Sequence, residues 1–212
     1  MKVMVYVEGP SDKLAMQELL HSLLEQKRQA GIDINFFETP EGDRKASVLT
    51  KVPIRAIRIL QNNPDAIVIA MPDLYPRDKA FKHSTERELE KGILQNFEVE
   101  LKRRGLDNDP RLKARFKVFC FKHDLEVLIL AAEEALESRL GSPLTRNWKI
   151  PVEYQNHNNP PKRVVEKLFE SSKDKYKDTI DAPLILGATE YRIIKERCPQ
   201  CFKPFVEFLE GL

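Results

Sequence analysis

No apolar run in this 212-residue sequence approaches the roughly 18 residues that cross a bilayer as a helix. Its opening, MKVMVYVEGPSD, has one lysine and only a few apolar residues before Glu8, too few for the apolar centre of a secretion signal. Together these absences point to a cytoplasmic protein with no membrane partner. Cysteine is scarce: three residues, an odd number, do not make a disulfide framework in a chain this long. Net charge is nearly absent too, at +2, so no whole-molecule field draws the chain to nucleic acid. Any such binding rests on a local patch. The sequence contains no GxxxxGK phosphate loop, no serine nucleophile elbow and no GxGxxG fingerprint. It is therefore not itself a P-loop ATPase, and nothing marks an α/β-hydrolase or a dinucleotide-binding fold. There is no internal repeat and no low-complexity tract.

What is present reads as a globular chain. Hydrophobic residues make up 42% and charged residues 32%, a balance that argues against disorder. Residues 3–7 form a continuous apolar run and predict a strand buried on both faces, as in a parallel sheet. Ser11 is placed to cap a helix beginning at Asp12. Met16, Leu19, Leu20, Leu23 and Leu24 then recur at helical spacing, and Gly31 is a stop. Strands are expected over 32–37, over 66–71 and, after a loop, within 111–121. Helices are expected over 46–62, with Pro53 as a start or kink, and over the charged stretch 77–104. His123-Asp124-Leu125-Glu126 opens another helix, whose apolar face runs to Leu140. This alternation predicts an α/β fold with a mainly parallel sheet flanked by helices over residues 1–140. From Gly141 loop signals cluster, and helical stretches near 162–172 and 190–211 predict a C-terminal helical annex, 141–212, packed on that core as one structural unit.

Acidic residues fall where strands end. Glu8 closes the first strand, Asp12 follows four residues later, Asp73 closes the third, and Asp124 and Glu126 follow the fourth. In open α/β sheets ligands bind outside the carboxyl ends of the strands. Should those strands be neighbours, the five carboxylates converge, and a bound divalent cation relieves their repulsion. Oxygen-only ligands select magnesium, manganese or calcium over zinc, and carboxylate-held magnesium serves phosphoryl chemistry. The competing reading is structural, because the helix dipole favours acidic residues in first turns. His123 stands between a strand and two carboxylates, as a general base, a phosphate contact or a helix-capping residue. Cys198 and Cys201 have the spacing of one zinc-ligand pair, where a structural site needs four ligands. With Cys120 they read as core or helix-start residues.

Lys102, Arg103, Arg104, Arg111, Lys113, Arg115 and Lys117 crowd one stretch, opposed by Asp107 and Asp109, and Lys162-Arg163 forms a smaller basic group. They suit a solvated helix end or, in the alternative, a phosphate backbone.

The stretch VYVEGPSDKLAMQELL, residues 5–20, resembles the opening strand, glutamate and helix of a Toprim domain, the fold shared by topoisomerases, primases and nucleases of the overcoming-lysogenisation-defect type. HDLEVLILA (123–131), NPPKRVVEKL (159–168) and IIKERCPQCFKPFVEFLEGL (193–212) resemble a Toprim-like bacterial family whose genes often neighbour an AAA-type ATPase. The resemblance implies Mg2+ or Mn2+ as cofactor and Glu8, Asp12, Asp73, Asp124 and Glu126 as metal ligands. It gives Glu8, Asp73 and His123 catalytic parts. It further implies a nuclease acting on nucleic acid, with an AAA-type ATPase partner in phage defence. One position departs from the pattern. The second aspartate of the Toprim aspartate-x-aspartate motif is Tyr75 here, a far weaker ligand for magnesium. Either Asp12, Asp78 or Glu126 completes the count, or the metal is held weakly, or catalysis is lost. A metal-dependent nuclease, a non-catalytic Toprim-like binding or regulatory subunit, and a small-molecule phosphohydrolase stay open.

Overall fold

The protein is described by a computed structural model over residues 1–39, 44–155 and 158–212. Its strands β1 (Lys2–Val7), β2 (Asp33–Glu38), β3 (Ala66–Ala70) and β4 (Phe116–Val118) form one parallel sheet in the order β2-β1-β3-β4. Val3, Val5 and Val7, on one face of β1, are fully buried, and Tyr6, on the other, is 3% exposed, as expected of an apolar strand covered on both faces. At the sheet edge, β2 alternates until its last two residues, burying Ile34 and Phe36 and exposing Asp33 and Asn35. From β1 the chain moves to one side to make β2 and returns to the other side to make β3. The order therefore reverses between β1 and β3.

In chain order the helices are α1 (Pro10–Leu19), α2 (His21–Gln29), α3 (Arg44–Ala46), α4 (Val52–Asn62), α5 (Glu86–Arg103) and α6 (Pro110–Ala114). They continue with α7 (Glu126–Ala131), α8 (Glu133–Leu140), α9 (Pro161–Ser171), α10 (Asp178–Gly187), α11 (Tyr191–Arg197) and α12 (Phe202–Glu210). The chain groups into two compact units. The first is 1–9 with 24–120 and holds the whole sheet; the second is 10–23 with 121–212 and is helical. The expected boundary at 140 falls inside the second unit, because α7 packs on α9, α10 and α11.

Several elements differ from expectation for identifiable reasons. α1 starts at Pro10 rather than after a Ser11 cap, since a proline in the first turn lacks only an N–H that has no helical partner there. It breaks at Leu20, and α2 ends as expected at Gly31, whose φ of +80° suits glycine. The helical stretch 46–62 contains a π-helical turn, Ser47–Lys51, before α4. Pro53 has no N–H to give to the carbonyl of Leu49, and the Asn96 side chain supplies the missing donor at 3.0 Å. The charged stretch 77–104 becomes helical only at Glu86. Thr85 accepts the Glu88 N–H at 3.2 Å while the Glu88 carboxylate accepts the Ser84 and Thr85 N–H groups at 2.7 and 3.1 Å, a capping box. The helix expected from 125 to 140 is divided at Ala132 into α7 and α8. α10 was not expected, because Pro183 interrupts its sequence. Burial of Ala182, Ile185 and Leu186 and close packing on α1 sustain it: a Cβ on Gly187 would stand 3.2 Å from that of Glu18. Among the described residues no helix is long and apolar enough to cross a membrane.

Asn96→Ala strands the Leu49 carbonyl in a buried turn. The expected cost is about 1–2 kcal/mol, read as a lower urea midpoint at unchanged m-value.

Candidate functional site

The register of β1 against β3, Lys2↔Ala66 through Tyr6↔Ala70, ends both strands at the same edge of the sheet. The ladder continues one step further, with the Met71 N–H donating to the Tyr6 carbonyl at 2.9 Å. Glu8 and Asp73 leave this edge side by side, and the Glu8 carboxylate accepts the Asp73 N–H at 2.9 Å. The Thr39 hydroxyl lies 3.0 Å from the carbonyl of Glu8 and 3.2 Å from that of Arg44, joining the end of β1 to the start of α3. Next along, the buried Lys45 sends its ammonium to the Pro76 carbonyl at 2.5 Å, in the segment that carries Asp73. Glu8, Thr39, Lys45, Pro76 and Asp73 thus close a ring of contacts within the first unit. Burial lowers the Lys45 pKa from its ordinary value, while the charges of Glu8, Asp73 and Asp78 pull it back up. Asp78 also shapes its own turn, accepting the Ala80 N–H at 2.7 Å.

A second acidic group lies in the helical unit. Asp124 accepts the Lys162 N–H at 3.3 Å, and the Lys162 ammonium stands 3.2 Å from Asp178 and 3.6 Å from Glu126. Burial first, and then the neighbouring Glu126 charge, raise the Asp124 carboxyl well above its usual range. Burial also raises Glu126, against the opposing pull of Lys162. Lys162 is itself partly desolvated, but Glu126 and Asp178 outweigh that and hold its pKa above the ordinary lysine value. The buried phenol of Tyr176 beside Glu126 is pushed far up, by burial and then by that carboxylate.

Of the acidic residues singled out from sequence, the structure joins Glu8 to Asp73 in one unit and Asp124 to Glu126 in the other. Asp12 lies buried in the first turn of α1 and His123 lies buried ahead of α7, both in the second unit. Among the described residues no group of three or more His, Cys, Asp or Glu side chains is arranged to hold a metal ion. Tyr75, at the departing motif position, donates its hydroxyl to the Ser84 carbonyl at 3.2 Å. Thr39 and Lys45 carried no sequence signal, since a hydroxyl after a strand and a lysine in a charged loop are ordinary surface features.

Part of the basic stretch is engaged within the protein. Arg103 and Arg104 pair with Glu100 at 2.8 and 2.7 Å, and Arg111 pairs with Asp109 at 3.2 Å. The Arg115 guanidinium reaches the carbonyls of Leu60, Asn63 and Ala66 at 2.9–3.1 Å, closing the end of α4. Lys102, Lys113 and, in the helical unit, Arg163 are exposed. The three cysteines are buried free thiols, with Cys201 at the start of α12, matching the core or helix-start expectation.

A family model described as a domain of unknown function (DUF4276) matches residues 7–210. No curated protein matches the sequence. Among solved structures, the C-terminal region of the Burkholderia pseudomallei OLD protein is similar at 15% identity and a TM-score of 0.47, over 99% of this chain and 96% of that one. The C-terminal region of the Xanthomonas campestris pv. campestris OLD protein is similar at 14% identity and a TM-score of 0.44, over 99% and 94%.

Two measurements test these assignments. The folded protein holds the Asp124 proton more tightly than the unfolded chain does. The stability this confers is complete below the unfolded carboxylate pKa and is lost as pH rises through the raised folded value. Asp124→Asn, which cannot ionise, should therefore melt a few degrees above the wild type at about pH 8, and the gap should close towards about pH 4. In the basic stretch, Arg115→Gln should lower stability by about 2–3 kcal/mol, read as a lower urea midpoint.

Proposed function

This chain belongs to the DUF4276 family, and for it we propose metal-dependent phosphodiester chemistry on nucleic acid, with Glu8 and Asp73 as the metal-binding carboxylates. One observation carries the reading: the Glu8 carboxylate accepts the backbone N–H of Asp73 at the carboxyl ends of β1 and β3, where the strand order reverses. That crevice is where open α/β sheets bind their ligands. The donor set fits a hard dication, because magnesium is commonly held by one or two carboxylates, with waters and substrate phosphates completing its shell. Bound there, Mg2+ or Mn2+ supplies positive charge against the developing charge of a phosphoryl group.

The chain's own residues have separate tasks. The Asp73 N–H fixes the Glu8 carboxylate, so its orientation does not depend on a long side chain's rotamers. The exposed Lys102, Lys113 and Arg163 give phosphate contacts without base specificity. Asp124 and Glu126, with Lys162 held against them, belong to the same reading as the acidic residues of the nuclease-type pattern, and His123 as its histidine. The Toprim-like resemblance of residues 5–20, 123–131, 159–168 and 193–212 supports this assignment and, with it, an AAA-type ATPase partner in phage defence.

A second reading has an observation in its favour. Tyr75 fills the second motif position, and its hydroxyl is engaged with the Ser84 carbonyl, which favours a Toprim-like subunit that binds without cleaving.

Supercoiled plasmid incubated with the protein and Mg2+ or Mn2+, with and without the ATPase, tests both. Nicking that falls by orders of magnitude in Glu8→Gln, together with a Mg2+-induced rise in melting temperature that this variant loses, is the expected result. Metal-dependent DNA binding without nicking supports the non-cleaving subunit. Turnover of nucleotides with none of DNA would indicate a small-molecule phosphohydrolase. A wild-type melt that ignores both ions overturns the metal site.

A further inference from the structure

We propose that the exposed face of α10 docks on the same face of a second copy of this chain, the two helices lying antiparallel about a two-fold axis. The proposal stands apart from the metal-site reading above.

The face that α10 turns inward is fixed by Ala182, Ile185, Leu186 and the Asp181 carboxylate, which pairs with Arg139 at 2.6 Å. The opposite face carries Thr179, Ile180, Pro183, Leu184, Gly187 and Ala188, at the spacing of one helical stripe. The outer face of a surface helix is ordinarily charged or polar. None of these six is charged, and Ile180 and Leu184 are 51% and 59% exposed. α1, which packs on α10, adds the exposed Leu14 one turn before Glu18, and the Glu18 Cβ adjoins Gly187. Contiguous exposed apolar surface of this kind marks a contact with another macromolecule. A second copy is selected because the stripe complements itself when reversed. Its bulk lies towards the N-terminus, in Ile180, and its gap towards the C-terminus, at Gly187. Turned about an axis between Pro183 and Leu184, each Ile180 comes opposite the partner's Gly187, and each Pro183 opposite the partner's Leu184. The same rotation sets the exposed Lys177, just before the helix, against the partner's Glu190, exposed just beyond it. A copy laid parallel would instead set Ile180 on Ile180 and lysine on lysine. A two-fold contact repeats each favourable pair. The seam is short, so association is weak: one pair of such helices covers less than the roughly 1,200 Å² at which standard protein–protein interfaces begin.

Sedimentation velocity of the full chain, from about 1 μM to about 1 mM, reads the association. Wild type is expected to show a monomer–dimer equilibrium within that range. Leu184→Asp brings a carboxylate close to its own copy at the axis and should abolish the dimer. Its melting temperature at low concentration should match wild type, since Leu184 is exposed in the single chain. Val99→Asp, at an exposed position of α5, is the control and should leave association unchanged. Two charge variants keep the test independent of any effect of Leu184→Asp on folding. Lys177→Glu and Glu190→Lys should each weaken the dimer about tenfold. An equimolar mixture of the two should recover wild-type affinity, because each chain supplies the charge that the other has lost. A wild type that stays monomeric throughout overturns the proposal and leaves the stripe to a different occupant. Dimers that survive Leu184→Asp at wild-type affinity put the contact elsewhere on the molecule and overturn it too. Loss of the dimer in both charge variants without recovery in their mixture overturns the antiparallel pairing.

Discussion

Parallel pairing of β1 with β3 is the constraint from which the candidate site follows. A parallel ladder advances both strands in the same direction, so their carboxyl ends arrive at one edge. The register Lys2↔Ala66 brings Tyr6 level with Ala70, so the segments that follow both strands leave the sheet at the same edge. Glu8 and Asp73 are the first acidic residues beyond that point on each strand. A slip of one residue would turn the side chains of β1 to opposite faces of the sheet.

Both units meet the same electrostatic problem with the same device. Carboxylates withdrawn from water resist joint ionisation, and in each unit a lysine supplies the opposing charge: Lys45 for Glu8, Asp73 and Asp78, Lys162 for Glu126 and Asp178. The outcomes differ with exposure. Lys45 is buried and its pKa is lowered by desolvation. Lys162 keeps part of its side chain in water, so its acidic partners win and its pKa is raised. Neither arrangement is strong evidence of stability, since the desolvation of buried ions offsets much of their attraction.

Local irregularities are each repaired by a distant part of the chain. Pro53 removes a donor from a helical turn, and Asn96, 43 residues later by the numbering, restores it from α5. The carbonyls at the end of α4 receive the Arg115 guanidinium instead of further helix. In the helical unit, the buried Glu153 carboxylate accepts the N–H groups of Gln200 and Cys201 at 2.6 and 2.8 Å, serving the start of α12, where Cys201 offers no side-chain cap. These repairs explain why residues that read as surface polar groups, such as Asn96 and Arg115, are structural.

The sequence by itself determined the strands, their parallel character and the acids that end them. Those properties rest on short-range patterns: an apolar run too continuous for an exposed strand, and a carboxylate just beyond it. It also carried the capping box of Thr85 and Glu88, a signal that lay within a stretch read as one long helix. Only the tertiary structure decided which strand ends are adjacent, because strand order is set by how crossovers pack and leaves no local trace. That choice joined Glu8 to Asp73 and assigned Asp12, His123, Asp124 and Glu126 to a different compact unit. It also decided the fate of the charges. Whether a lysine or arginine faces solvent, a carbonyl or a carboxylate depends on neighbours dozens of residues away, so Lys45, Lys162 and Arg115 acquire their roles from desolvation and partners that no spacing rule records.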